Sequence, residues 1–354
     1  MENKWKHRFI TLGELLLRLS TPDHGKIRAA SSLEMNYGGS EANIALCLAN
    51  LGIDSSYFTV VPDNSLGRSA VSGLKGSDVD CSRVIYSTPE ETPSHRLGVY
   101  YLEAGYGIRP SQVIYDRKHS AFSEYDFTGI DVDALLEGYT WLHLGGITPA
   151  LGENARELTM SCLMAAKKKN MVVSFDGNFR STLWSWEEAR DFCTQCLPYV
   201  DVLFGIEPYH LWKEPGNPES GDVKDGLLLW PDLEQQDKVF REFVKQYPNI
   251  RCIARHVRLA QSSSRNSLAA FLWLDGKTWE SNTITFDILD RVGGGDAFVA
   301  GIIYALMQEY PPKEIVDFGV ACSVLKHTIH GDGNIIENAQ QVRQVMKQDM
   351  DIKR

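Results

Sequence analysis

Short strand-like runs alternate with helix-like segments along most of the 354-residue chain, and this alternation restricts its fold more than any other feature. The helix-like segments repeat apolar residues every three or four positions, whereas the strand-like runs are short, β-branched or aromatic. Strand-like runs lie at 8–13, 55–61, 140–144, 171–175 and 200–204, and helix-like segments at 40–50, 65–75, 154–169 and 186–197. The alternation predicts an α/β fold with a mostly parallel sheet, helices on both faces and a ligand site at the carboxyl ends of the strands.

Two segments, about 15–37 and 95–125, interrupt this alternation with strand-like residues and no helix between them. In the second segment, 97–102 and 111–115 are typical of extended strands joined by a turn at Gly105–Gly107. A small antiparallel sheet inserted into the α/β body accounts for both segments. Inserted sheets beside a ligand cleft commonly serve as lids. We therefore predict a single α/β domain over residues 1–354 with a small β-sheet lid.

Charge and hydropathy exclude several classes of protein. The net charge of −10 argues against a nucleic-acid partner, because phosphate backbones require basic surfaces. No apolar run approaches the roughly 20 residues that cross a bilayer, and the first residues lack the apolar segment of a signal peptide. The seven scattered cysteines are typical of a reducing compartment. We expect a cytoplasmic protein without a nucleic-acid or membrane partner.

The segment Asp290-Arg-Val-Gly-Gly-Gly-Asp places three consecutive glycines, Gly293, Gly294 and Gly295, directly before an apolar helix-like run. Glycines at a helix start allow backbone N–H groups to converge where the helix dipole is positive, which creates an anion site. Asp296 at its rim suits a base that takes a proton from a hydroxyl while the glycines hold a phosphoryl group. The segment alone is equally compatible with a plain helix start that Asp296 caps.

A second glycine pair, Gly38 and Gly39, precedes a helix-like segment that carries Asn43 on its first turns. Alone, this is compatible with a further helix start and a buried, hydrogen-bonded Asn43. Together the two segments resemble the two signature regions of the PfkB (ribokinase-like) carbohydrate kinase family. The resemblance implies that the Gly38–Gly39 helix contacts a sugar, that Gly293, Gly294 and Gly295 form the anion hole, and that Asp296 is the catalytic base.

Further segments resemble the branch of this family that phosphorylates 2-keto-3-deoxygluconate. They are the opening 13–19, the lid motif Tyr115-Asp116-Arg117, 145–151, 176–180 and 325–334. The opening segment lacks the Asp that relatives acting on neutral sugars place there, and such a carboxylate would repel an anion. The resemblance implies substrate contacts by Gly38, Gly39, Asn43, Tyr101, Tyr115, Arg117, Arg180 and Asp332. It implies ATP contacts by Asn178, Arg180, Arg258, Gly293 and Gly295.

The chain departs from the family after the strand-like run 200–204. The family carries an Asn-Glu-Glu-like motif there that helps to organise Mg²⁺ and phosphates, whereas this chain has Ile206 in place of the Asn and keeps only Glu207. Glu207 is therefore the predicted metal contact. The change at Ile206 leaves the anion hole and the base intact, but it bears on metal handling and on the rate of turnover.

The resemblance implies that the protein transfers the γ-phosphoryl group of ATP, with Mg²⁺, to the 6-hydroxyl of 2-keto-3-deoxygluconate or a close sugar acid. It also implies a homo-oligomer that pairs through the lid. Two alternatives stay open. One is a kinase for a neutral sugar such as fructose, and the other is a catalytically silent sugar-acid sensor, which the change at Ile206 suggests.

Overall fold

The computed structural model describes residues 7–206 and 231–348, so Glu207 lies outside the described residues. The strands are β1 (Arg8–Leu12), β2 (Leu16–Ser20), β3 (Glu34–Gly38), β4 (Asp54–Phe58), β5 (Val60–Pro62), β6 (Ile85–Ser87), β7 (Gly98–Glu103), β8 (Gln112–Asp116), β9 (Trp141–Gly145), β10 (Val172–Asp176), β11 (Val202–Phe204), β12 (Cys252–Ala260), β13 (Arg265–Leu274), β14 (Lys277–Glu280) and β15 (Ile284–Asp287). The α-helices are α1 (Ser40–Asn50), α2 (Ser65–Lys75), α3 (Ala121–Glu124), α4 (Val132–Leu135), α5 (Glu153–Lys168), α6 (Trp186–Cys196), α7 (Leu233–Gln246), α8 (Gly294–Met307), α9 (Pro312–Lys326) and α10 (Ala339–Met346). Short 3-10 helices lie at Pro22–His24, Ile27–Ala29, Phe127–Gly129, Pro149–Leu151 and Leu197–Tyr199.

The central sheet runs in the order β14-β13-β12-β11-β10-β9-β1-β4, and β15 also pairs with β13. The strands from β12 through β4 pair in parallel, and β13 is antiparallel to each of its neighbours. The prediction of a mostly parallel sheet is confirmed. The predicted strand at 55–61 is divided at Thr59, because β4 pairs with β1 whereas β5 pairs with β6 in a separate two-stranded sheet.

The lid is a four-stranded sheet in the order β3-β2-β7-β8, built from the two segments that interrupt the alternation. The prediction of a purely antiparallel sheet is wrong, because β2 and β7 pair in parallel. These two central strands come from distant parts of the chain, whereas strands that follow each other, β2–β3 and β7–β8, are antiparallel. Every residue of β8, at one edge of the lid, is exposed.

Two apolar cores lie on opposite faces of the central sheet. Buried side chains of α1, α2, α8, α9 and α10 belong to one core, and those of α3, α5, α6 and α7 belong to the other. Ile206 is buried within the second core. None of the described helices is both long enough and apolar enough to span a bilayer. Because helices cover both faces of the sheet, the ends of its strands are where a ligand can approach it.

Candidate active site

A cavity of about 760 Å³ opens at the carboxyl ends of the parallel strands, between the central sheet and the lid. Ligands of open parallel sheets bind at this end. Most of the predicted site residues line it: Gly39, Asn43, Tyr115, Arg117, Asn178, Arg180, Arg258, Gly293, Gly294, Gly295, Asp296 and Asp332. Gly38 and Tyr101 are not among the lining residues.

The three consecutive glycines form the start of α8. Gly293 has φ +82°, a left-handed conformation that favours glycine, and a side chain there would collide with the carbonyl oxygen of Asp332. A side chain at Gly294 would collide with His327. Gly295 has nothing within 4 Å of the place where a side chain would stand. The first N–H groups of a helix have no intrahelical partner, so this loop, which lines the cavity, is suited to hold an anion.

Asp296 lies on the first turn of α8 and is held by α1. Its Oδ1 accepts a hydrogen bond from Ser40 Oγ at 2.9 Å, and its Oδ2 accepts one from Asn43 Nδ2 at 2.7 Å. Asn178 Nδ2 donates to Ser40 Oγ at 3.1 Å, which fixes the hydroxyl. Burial raises the pKa of Asp296, while the bonds from Asn43 and Ser40 oppose the shift. The carboxylate is thus oriented beside the glycine loop as a general base requires.

Arg117 forms a salt bridge with a second carboxylate, that of Glu14, at the lid side of the cavity. Its Nε donates to Glu14 Oε2 at 2.9 Å, and its Nη2 donates to the same oxygen. Both side chains are buried, and both line the cavity. Glu14 Oε1 has no hydrogen-bond partner within the described part of the chain. The opening segment lacks an Asp, yet through Glu14 it does bring a carboxylate to the site, one that Arg117 neutralises.

Glu41 adds a third carboxyl group to the cavity wall. Thr148 Oγ1 donates to Glu41 Oε1 at 3.2 Å, and the carboxyl packs where side chains at Gly13 and Gly145 would stand. Burial, with a smaller contribution from the charge of Asp296, raises the pKa of Glu41 to about 7. Gly13, which follows β1, and Gly145, which ends β9, therefore make room for a polar group near Asp296.

Asp332 belongs to a buried network that joins the lid to the body. Arg18 Nη1 donates to Asp332 Oδ1 at 2.7 Å, and Arg18 Nη2 donates to Asp290 Oδ2 at 2.6 Å. The Tyr100 hydroxyl donates to Asp332 Oδ2. Burial disfavours the charged guanidinium, but Asp332 and Asp290 outweigh this and raise the pKa of Arg18. A side chain at Gly38 would collide with Asp332, so this glycine packs behind the site.

On β7 the tyrosine that lines the cavity is Tyr100, whereas Tyr101 is the residue expected there. Adjacent residues of a strand face opposite sides. Tyr100 is the cross-strand partner of Tyr115, and both line the cavity. The register of β7 with β8 therefore places Tyr100, and not Tyr101, at the cavity wall, and the sequence alone does not give that register.

Basic side chains border the other end of the cavity, where a nucleotide is expected. Arg180 is exposed at the rim, and its charge lowers the pKa of Asp296, opposing the effect of burial. Arg258 on β12 and Arg291 beside the glycine loop also line the cavity. Ile206 does not, because its side chain is buried in the core.

Sequence reasoning missed Glu14, Ser40, Glu41, Tyr100 and Arg18. A signal existed for the first three: each is a polar residue beside a motif glycine at the end of a strand or the start of a helix. Arg18 lies between leucines in a strand that is mostly buried, and a charge in such a strand indicates a buried partner. The identity of that partner depends on tertiary contacts.

A carboxylate held beside a helix-start anion cradle, at the strand ends of an α/β body, defines an enzyme that transfers a phosphoryl group to a hydroxyl. The chain belongs to the pfkB family of carbohydrate kinases, whose family model matches residues 6–224 and 268–339. The fold is ribokinase-like, as predicted, and the protein is a phosphotransferase.

Named relatives and a solved structure resemble the chain over almost its full length. It is 32% identical to a 2-dehydro-3-deoxygalactonokinase of Haloferax volcanii, over 91% of this chain and 92% of that protein. It is 26% identical to a 2-dehydro-3-deoxygluconokinase of Bacillus subtilis, over 91% and 90% of the two chains. The crystal structure of 2-dehydro-3-deoxygluconokinase from Thermotoga maritima matches with a TM-score of 0.87 and 33% identity, covering 96% of this chain and 99% of that one.

Proposed function

We propose that the protein transfers the γ-phosphoryl group of ATP to the 6-hydroxyl of 2-keto-3-deoxygluconate or a close sugar acid. The observation that carries the proposal is that one cavity contains both Asp296 beside the glycine loop and Arg117 on the lid. The first supplies a base and an anion cradle, and the second supplies a cation for a carboxylate. The names of the relatives support a sugar acid as the substrate class.

On this proposal, Asp296 accepts the proton of the attacking hydroxyl, and Asn43 and Ser40 keep the carboxylate in place. The N–H groups of the glycine loop stabilise charge on the transferred group. The open space at Gly295 leaves room for phosphoryl oxygens. Mg²⁺ bound with ATP would neutralise the charge of its phosphates. Asn178, Arg180 and Arg258 are the proposed ATP contacts, and Glu207 remains the predicted metal contact.

A neutral sugar such as fructose is the second candidate substrate, and Glu14 favours it. This buried carboxylate lines the sugar end of the cavity and occupies two donors of Arg117. Carboxylates are good acceptors for sugar hydroxyls. The sensor alternative rests on Ile206 alone, whereas the ordered base and glycine loop favour turnover.

A coupled ADP-release assay distinguishes these functions. Its acceptors are 2-keto-3-deoxygluconate, 2-keto-3-deoxygalactonate and fructose, each with wild type and with Asp296→Asn. We expect the highest kcat/KM on a keto-deoxy acid, with a product that NMR identifies as the 6-phosphate. A preference for fructose would identify the neutral-sugar kinase. Sugar-acid binding by calorimetry with no ADP release at saturating Mg²⁺ would identify the sensor.

The proposal includes a homo-oligomer that pairs through the lid, in the cytoplasm. The fully exposed edge strand β8 carries the apolar side chains Val113 and Ile114 at the surface, and such an edge is a ready partner for another strand. Sedimentation of wild type and of Ile114→Lys tests this. A monomeric wild type would contradict it, and a weaker assembly in the variant would support it.

A further inference from the structure

A buried lysine that the proposed chemistry does not use lies directly behind the glycine loop. Lys326 is the last residue of α9, and none of its surface is exposed. Its Cε lies 3.2 Å from the place where a side chain at Gly293 would stand. Lysine is almost never fully buried unless its charge is compensated. The position of this ammonium group therefore needs an explanation.

Direct pairing does not supply that explanation. Within residues 7–206 and 231–348, the only hydrogen bond of Lys326 Nζ goes to the carbonyl oxygen of Ile329, at 3.0 Å. The neighbouring carboxylates of Asp290 and Asp332 are both paired with Arg18, at 2.6 and 2.7 Å. Burial lowers the pKa of Lys326, and Asp290 and Asp332 oppose this by favouring its charged form.

The surrounding charges indicate what the ammonium group does. Three aspartates, Asp290, Asp296 and Asp332, surround a loop that must accept an anion. Arg18 bonds to two of these carboxylates, but its single positive charge offsets only one of the three negative charges. A second fixed cation on the buried side of the loop makes the electrostatic potential less negative there, without covering the N–H groups that face the cavity. Because the interior screens charge less than water does, such a cation acts strongly across a short distance.

We propose that Lys326 is a positioning residue for phosphoryl transfer: a positive charge behind the glycine loop that stabilises negative charge developing on the transferred group. It acts through the loop, since Gly293 separates it from the cavity. The inference rests on the proposed phosphoryl transfer at this loop. A charge that acts only on the transition state raises kcat and leaves the two KM values nearly unchanged.

Lys326→Met removes the charge and keeps most of the stem. We expect kcat to fall about 10- to 100-fold, less than the 10²–10³ typical of a lost direct donor, with KM for ATP and acceptor within about threefold. The matched control is Lys313→Met at the other end of α9, where the side chain is 44% exposed and pairs with Asp317 at 2.7 Å. The control should retain its kcat. A kcat for Lys326→Met within about threefold of wild type would overturn the proposal.

Two further variants separate charge from packing. Lys326→Arg keeps the charge and should exceed Lys326→Met in kcat, whereas equal losses in both would indicate packing alone. Lys326→Ala should regain activity with millimolar propylammonium and not with the uncharged propanol. Failure of that rescue in a folded variant counts against the proposal.

The measured quantity is the kcat of each variant relative to that of the wild type. It can be measured with any acceptor that the wild type phosphorylates, including water, in which case the reaction is ATP hydrolysis. A wrong substrate assignment therefore leaves the test of Lys326 intact. A wild type that releases no ADP with any acceptor would instead refute the proposed function itself.

Discussion

The Arg117–Glu14 pair makes the replacement Arg117→Ala a more complex perturbation than the removal of one substrate contact. Both donors that Arg117 uses in the structure go to Glu14 Oε2, and both side chains are buried. Replacing Arg117 by alanine removes the cation that would meet a substrate carboxylate. It also leaves Glu14 as an uncompensated negative charge in the wall of the same cavity.

The two effects differ in size for acidic and neutral substrates. Loss of one charge-assisted hydrogen bond costs about 1.5–3 kcal/mol of binding free energy. Repulsion between Glu14 and a substrate carboxylate at about 5 Å adds roughly 3 kcal/mol at an effective dielectric constant of about 20. A neutral sugar experiences neither effect. Together the two effects cost about 4.5–6 kcal/mol, so KM for a sugar acid should rise by about 1,000- to 20,000-fold, against less than about tenfold for a neutral sugar of matching size.

A double variant separates the repulsion from the lost contact. In Glu14→Gln/Arg117→Ala the negative charge is absent, so KM for the sugar acid should recover about 100-fold relative to Arg117→Ala. The control is Arg96→Ala, since Arg96 forms an exposed lid ion pair with Asp116 at 3.0 Å. The measurement is steady-state ADP release, with thermal unfolding of each variant. Equal losses on both sugars, with no recovery in the double variant, would show that Arg117 supports only the lid fold.

Four further predictions follow from the site. Asp296→Asn should lower kcat about 100- to 10,000-fold while calorimetry still detects sugar binding, and near-normal turnover would contradict its role as base. Burial raises the pKa of Asp296, and only its ionised form accepts a proton. As the pH is lowered, kcat should therefore begin to fall before the pH reaches the ordinary aspartate pKa of about 3.9. A wild-type kcat that stays constant down to that pH would contradict this prediction. Tyr100→Phe should raise KM for the sugar acid several-fold and Tyr101→Phe less than twofold, and the reverse order in steady-state assays would contradict the lid register. Ile206→Asn places an amide in an apolar core and should destabilise the fold by about 2–4 kcal/mol in denaturant unfolding, whereas an unchanged midpoint would show that the amide finds a partner.

Local patterns were sufficient for much of the fold. The helices predicted at 40–50 and 65–75 coincide with α1 and α2, because their apolar periodicity and their flanking glycines and Asn64 are local signals. The β12–β13 hairpin was not predicted, since a continuous apolar run such as 268–274 has no period that separates strand from helix. The parallel pairing of β2 with β7 depends on contacts between distant segments, which no local pattern contains.

The candidate site shows the same division. Asp296 and its glycines form a contiguous motif, and so their proximity was predictable from the sequence. The pairing of Arg117 with Glu14 joins residues 103 positions apart, and the choice of Tyr100 over Tyr101 depends on the register of the lid. Motifs thus locate the chemical groups, whereas tertiary packing decides which of them are neutralised before a substrate arrives.

The bond from Arg18 to Asp332 spans 314 positions, and this has a consequence for how the protein is made. Synthesis proceeds from the N-terminus, so the lid strand that carries Arg18 leaves the ribosome long before its carboxylate partner exists. Until then, a guanidinium group destined for burial has no countercharge at Asp332, and the lid cannot close over the body in its final form. Nascent chains that stop short of this residue therefore lack the Arg18–Asp332 ion pair that joins the lid to the body.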